Sequence, residues 1–273
     1  MSRSKRKLIA QETLRIVEAG TYRNADDAEV SIAEAVQKAA AGTRLIRPND
    51  FSSLELPDND FDTEFVVRNE TTFVGAQALL ASGAPEVCSL NFASAKNPGG
   101  GFLGGSQAQE EALARASALY ECLQQAMEYY EFHRTGGNCL YSHHMIYSPA
   151  VPVFRDDDDG LLDSLWLTSI ITSPAVNAGA VRKNTPRLEK QIEPVMAERI
   201  EHVLTLAASQ GHTNLVLGAW GCGVFRNDPK VIAGLFNDAL ATDRFRRMFE
   251  RVRFSVLARN KEQPTLDAFR EMF

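Results

Sequence analysis

The chain predicts an α/β fold with a largely parallel or mixed sheet. Two features carry that expectation. Short apolar, β-branched stretches alternate with amphipathic helical ones along the whole chain, and two glycine-dense loops each follow a strand and precede a helix. A length of 273 residues, 44% of them hydrophobic, suffices for one sizeable core.

Taken in order, KRKLIAQETLRIVEAG (5–20) and DDAEVSIAEAVQKAAA (26–41) read as two amphipathic helices. TEFVVRNE (63–70) alternates as a strand does, and TTFVGAQALLASG (71–83) reads as a helix stopped by a glycine. PEVCSLNFASA (85–95) is a short apolar strand, and a long helical region covers 107–133. MIYSPAVPVF (145–154) and WLTSIIT (166–172) are β-branched or aromatic and extended, and 187–210 is a strong helix. NLVLGAW (214–220) has the pattern of a buried strand. A helix restarts over 227–240, where Asn227 or Asp228 can cap it and Pro229 suits its first turn. RVRFSVLAR (251–259) is a late strand, and Pro264 leads into a closing helix.

Composition excludes several classes. No run of about 18 apolar residues predicts a membrane-spanning helix. The basic start, MSRSKRK, has no apolar segment after it and reads as a solvated helix start rather than a secretory leader. Cys88, Cys122, Cys139 and Cys222 lack C-x-x-C spacing, which argues against a disulfide framework or a zinc ribbon and points to a reducing cytoplasm. A formal charge of -6 disfavours duplex nucleic acid as a partner, so an anionic ligand would have to be held locally by loops and helix ends. The acidic run 156–159 before Gly160 fails as a calcium loop, because Arg155 and Trp166 fall where acids are required; a solvated turn is expected. His143 and His144 are adjacent, point to opposite faces of a strand, and have no further ligand at metal spacing, so no metal is expected. Tyr129, Tyr130 and Phe132 are expected in the core or at a helix edge, and the arginines at 244, 246, 247, 251 and 253 on a solvated helix face.

The first glycine loop, NPGGGFLGG (97–105), satisfies G-x-G-x-x-G literally over Gly99 to Gly104. It lacks the acid that a dinucleotide fingerprint places on the next strand, because that region continues a helix. The second loop runs from Gly218 through Gly221, Cys222, Gly223 and Val224 to Phe225. Two bare loops at strand C-termini would face each other across the top of an open sheet, where free N–H groups form anion nests. A diphosphate held mostly by backbone is the expected ligand, with no G-x-x-x-x-G-K-[ST] and no lysine needed. Cys222 fits a small residue that lets a phosphate approach closely, no histidine being near it in sequence.

Ser106 with Gln109 fits a capping box, which starts the helix at 107. Leu113, Ala116, Tyr120, Leu123 and Met127 mark its core face, with Gln109 and Glu110 on that side. Glu111 lies about 100° further round, so the two carboxylates are expected to point in different directions. Acids in a first turn complement the helix dipole and are ordinarily solvated. Directly after three glycines they are equally candidates for one carboxylate facing a reacting bond and its neighbour orienting the substrate. A general acid at Glu111 would need burial, and a like charge beside it, to outweigh the dipole.

GGG followed by QEE, with Asn97 upstream and GAWGCGVFRNDP downstream, resembles bacterial-type poly(ADP-ribose) glycohydrolases over most of the chain, to about Leu257. That resemblance implies a macrodomain-like three-layer α/β/α fold with a mixed central sheet. It also implies an N-terminal helical extension at 1–60 packed on a single catalytic core at 61–273. The implied reaction is hydrolysis of ribose–ribose O-glycosidic bonds in poly(ADP-ribose), or on ADP-ribosylated proteins, releasing ADP-ribose without a cofactor. Glu111 would be the acid/base and Glu110 would bind ribose hydroxyls. Asn97, Gly99, Gly100, Gly101 and Gln109 would hold the terminal ribose, and Gly218, Gly221, Cys222, Gly223 and Val224 the diphosphate, with Phe225 packed on the ribose. A monomer is expected, with neither membrane nor sequence-specific nucleic acid as partner. The rivals are an ADP-ribose reader that does not cut, a nicotinamide-dinucleotide oxidoreductase, and an ADP-ribose 1″-phosphatase.

Overall fold

A computed structural model describes residues 1–259 and 262–273. The chain opens with helix α1 (Arg3–Ala19), capped by Ser2, whose hydroxyl accepts from the Lys5 amide, and closed by Gly20 at a left-handed φ of 71°. A two-stranded ribbon follows, β1 (Thr21–Arg23) and β2 (Glu29–Ser31), before helix α2 (Ala33–Gly42). The second helix is therefore shorter than 26–41. Its expected first turns are a hairpin because Asn24 Oδ1 accepts from the Asp26 and Ala28 amides and Asp27 takes a left-handed φ of 60°. Strand β3 (Arg44–Ile46) then joins the main sheet, so the N-terminal segment adds an edge strand as well as helices.

Beyond it come β4 (Glu64–Arg68), α3 (Thr72–Ala81) and β5 (Cys88–Phe92). Three short helices follow: α4 (Gln109–Ala116), α5 (Leu119–Gln124) and α6 (Met127–Thr135). A long hairpin, β6 (Met145–Arg155) and β7 (Leu161–Ser173), leads to α7 (Ala178–Asn184) and α8 (Ile192–Ser209). The chain finishes with β8 (Asn214–Leu217), α9 (Pro229–Ala241), β9 (Arg251–Ser255) and α10 (Pro264–Arg270). Asp228, not Asn227, caps α9, accepting from the Lys230 amide at 2.8 Å.

The seven strands of the main sheet run in the order β3-β6-β7-β5-β8-β9-β4. β3, β6 and β7 pair antiparallel, whereas β7, β5, β8, β9 and β4 pair parallel, which makes the sheet mixed. Strand residues alternate between faces. Leu215 and Leu217 pack in the core that includes Ile200, Leu204, Phe236 and Phe269, while Val216 packs with Ala76 and Leu79 of α3. Ile146 and Ile170 join Leu123, Tyr129 and Tyr130 in a second large core, into which Ile16 and Val36 also pack. Helices thus cover both faces in three layers. The parallel strands turn their C-terminal ends to one edge, and β5 and β8 are neighbours, so the two glycine loops emerge side by side.

The region 107–133 is not one helix. Ser117 is extended, at φ -147° and ψ 176°, and bridges to Val153 of β6, while the Ala118 amide donates to Pro152 O at 3.0 Å. The acidic run is the turn of the β6–β7 hairpin, as expected, but it is tied down: Asp157 accepts from the Thr71 hydroxyl and Asp159 pairs with buried Arg115 at 3.2 Å. Residues 243–248 form turns rather than a helix, and Arg251 and Arg253 lie on β9. Arg253 forks onto Glu70 at 2.6 and 2.8 Å. Tyr129 and Tyr130 are fully buried and offer no face to a ligand.

Candidate active site

The first loop is a cradle for carboxylates. Gly99 and Gly100 adopt φ of 63° and 61°, which only glycine takes without strain. The Gly101 amide donates to Glu111 Oε1 at 3.0 Å, and the Gly100 amide donates to Asn97 O at 3.0 Å. Glu110 Oε2 accepts from the Ser94 amide at 2.7 Å, and Asn91 Nδ2 donates to its other oxygen at 3.3 Å. These amides are engaged by the protein, so this loop is not the free anion nest the glycines suggested.

The glutamates do not diverge as helix geometry suggested. A β-carbon added at Gly100 would lie 2.6 Å from Glu111 Oε1 and 3.0 Å from Glu110 Oε2, so both side chains converge on that glycine. Glu110 is 3% exposed, and burial pushes its pKa up to about 8 against the donors that favour its ionised form, with Glu111 adding to the rise. Glu111 Oε2 is buried and meets no hydrogen-bond partner among the described residues. A buried carboxylate oxygen left without a donor is costly.

Gln109 has a different part from the one expected. Its Oε1 accepts from the Phe92 amide at 2.9 Å, and its Nε2 donates to Leu90 O at 2.8 Å and Thr72 Oγ1 at 3.0 Å. The amide is fully occupied in pinning the first turn of α4 to the end of β5. Nor does Ser106 cap the helix: Ala108 holds that position without a side-chain bond. Arg115 instead organises the approach, donating to Ser106 O at 3.3 Å and Gln107 Oε1 at 2.7 Å.

The second loop has what the first lacks. The amides of Gly221, Gly223, Val224 and Phe225 donate to no acceptor among the described residues, whereas that of Cys222 is taken by Ala219 O at 3.1 Å. Asn227, buried, braces the loop by donating to Gly221 O at 3.1 Å and Val176 O at 2.8 Å. A β-carbon on Gly223 would meet nothing within 4 Å. Burial pushes the Cys222 thiol up to about 12, so it is no nucleophile at neutral pH. Gly99 and Gly218 are packing residues: a β-carbon would stand 2.9 Å from the Phe102 ring at Gly99, and 2.5 Å from Ser255 O at Gly218.

Between the loops lies a cleft of about 1060 Å³, lined by Asn97, Gly100, Glu110, Glu111, Gly223 and Phe225 among others. It is large enough for a dinucleotide-sized ligand. The sequence profile of microbial-type PARG, catalytic domain, matches residues 10–156. The chain belongs to that family. It is a poly(ADP-ribose) glycohydrolase, and hence a glycosidase, with a macrodomain-like fold.

Solved structures agree. The poly(ADP-ribose) glycohydrolase from Thermomonospora curvata is 41% identical, with 99% of this chain and 100% of that chain covered and a TM-score of 0.93. The same T. curvata enzyme bound to the inhibitor ADP-HPD superposes with a TM-score of 0.92 at 42% identity, again over 99% and 100% of the two chains. The Deinococcus radiodurans glycohydrolase in complex with ADP-ribose is 46% identical, covering 87% of this chain and 96% of that one, with a TM-score of 0.83. No curated protein matches in sequence.

Sequence reasoning missed several residues of the candidate site. Asn91 and Ser94 hold Glu110 from the end of β5, Asn227 braces the second loop, and Arg115 anchors α4. The signal was present for Asn91 and Asn227, amides in otherwise apolar or glycine-rich surroundings. None of the described helices is long and apolar enough to cross a membrane.

Proposed function

We propose that Glu111 is the acid/base of ribose–ribose bond hydrolysis. The observation that carries this is its buried Oε2, which has no partner in a cleft whose opposite loop presents free amides. Glu111 donates its proton to the leaving 2′-oxygen as the bond to the anomeric carbon breaks. It then takes a proton from the water that attacks that carbon, through an oxocarbenium-like transition state. The two carboxylates lie side by side at Gly100, so opposite-face carboxylate chemistry does not apply here.

Glu110, held neutral by burial, hydrogen-bonds ribose hydroxyls. Asn97, which is exposed, holds the terminal ribose. The amides of Gly221, Gly223 and Val224 hold the diphosphate, and Phe225 packs on the ribose. The nearby diphosphate stabilises the cationic sugar. The substrate is poly(ADP-ribose), free or on modified proteins, and the product is ADP-ribose. The enzyme works as a monomer in the cytoplasm, consistent with four free cysteines. Residues 1–60 extend the catalytic core, 61–273, with helices and the edge strand β3.

Glu111→Gln should lower turnover by about 10²–10⁴-fold while ADP-ribose binding stays largely intact. Normal polymer cleavage by that variant rejects the assignment. Binding without cleavage in the unaltered chain would favour a reader instead.

A further inference from the structure

Away from the cleft, the fold assembles residues that the sequence separates. Glu198 and His202 are four residues apart on α8 and share a face of that helix. His143, on the segment entering β6, reaches the same place: its Nε2 stands 3.4 Å from Glu198 Oε2, and its ring is 5.0 Å from that of His202. Each residue can offer one ligand atom, all three within 4.8 Å of one another. The Nδ1 atoms of both histidines are buried with no hydrogen-bond partner among the described residues. Phe51 stacks on His202 at 4.0 Å and fixes its ring.

We propose that His143, Glu198 and His202 form a binding site for a divalent transition metal, zinc being the best fit. Two imidazoles and one carboxylate form a zinc donor set with a fourth position for water. Calcium and magnesium, which require oxygen donors, are excluded by the same set. Bonds of about 2.0–2.1 Å around a tetrahedral ion place ligand atoms about 3.4 Å apart. The trio must therefore close somewhat, and the exposed Glu198 side chain is free to rotate inward.

Arg199 lies near both imidazoles and Arg244 near His202, and these charges oppose a bound cation. Arg199, however, turns its guanidinium to the carbonyls of Pro174, Leu140 and Tyr141 at 2.8–3.2 Å, and the Glu198 carboxylate offsets the remainder. An ion here would clamp the segment carrying Tyr141, whose ring lies 6.2 Å from Phe225 of the second loop.

The test is to strip the full-length protein with chelator and titrate it with Co²⁺, then Zn²⁺, following visible absorption and melting temperature. The expected result is one saturable Co²⁺ site per chain at micromolar metal, with an imidazole-type spectrum. Zn²⁺ should displace the Co²⁺, and the melting temperature should rise until chelator is added. Glu198→Gln, at an exposed position that does not threaten folding, and His202→Ala should each weaken binding by about ten-fold or more, at least the loss that outer-shell changes cause. Unchanged affinity in both variants overturns the proposal. Sulfur-to-cobalt charge transfer, which would move the metal to the cysteines, also overturns it, as does absence of saturable binding.

Discussion

At the scale of the residue, the proposed active site includes a deeply buried carboxyl. Glu110 keeps its proton to about pH 8 in the folded chain, whereas an unfolded glutamate loses it near pH 4.3. Between those values the folded state binds more protons, so this residue's contribution to stability falls as pH rises through the window. Melting temperature measured from about pH 5 to pH 9 should therefore decline more steeply in the wild type than in Glu110→Gln. The pH profile of kcat/KM should fall above about pH 8, where Glu110 ionises and can no longer donate to a ribose hydroxyl, and the variant should lose that limb. Gly100→Ala tests the meeting point of the two side chains. It adds about 1–2 kcal/mol of left-handed strain and drives a methyl between the carboxylates, so cleavage should collapse with only modest loss of fold. The adjacency of the glutamates was legible from QEE, but their convergence was not. A helix projected from sequence separates Glu110 and Glu111 by their angle alone, and only the loop folded back over α4 gives both the same neighbour.

At the scale of the element, α4 is short, begins without a capping side chain, and is held by contacts made elsewhere. Arg115, 3% exposed, binds Asp159 of the hairpin turn as well as Ser106 and Gln107, and its carbonyl accepts from Thr13 of α1 at 2.7 Å. Arg115→Met leaves Asp159 without its cation and should cost about 3–5 kcal/mol in chemical denaturation, the usual penalty for breaking a largely buried pair from one side. Activity should fall with it, because the first turn of α4 carries the glutamates. The strands and the later helices were readable from periodicity. The division of 107–133 into α4, α5 and α6 was not, since no glycine or proline marks it. The break at Ser117 comes from hydrogen bonding to β6, a partner far along the chain. The ribbon before α2 was hidden for a related reason: its acids and alanine suit a helix, and the turn is set by one asparagine side chain.

At the scale of the molecule, the parallel strands deliver two loops of opposite character to one edge, and this much the glycine spacing announced. Which loop leaves its amides free could not be read, because glycines look alike whether their amides are free or occupied. ADP-ribose at a hundred times its Kd should add about 2.7 kcal/mol of stability and raise Tm by several degrees. Gly223→Asp should abolish that shift while leaving the unliganded Tm nearly unchanged, since its side chain meets open space but brings negative charge among the free amides. Retention of the full shift would place the diphosphate elsewhere. The cleft is thus polarised end to end: acidic side chains at one pole, bare hydrogen-bond donors at the other. A competitor that mimics substrate charge throughout would waste half of this field. One that couples a basic heterocycle, seated over Gly100, to an anionic tail at the other loop would exploit both poles, and its potency should fade when either end is neutralised.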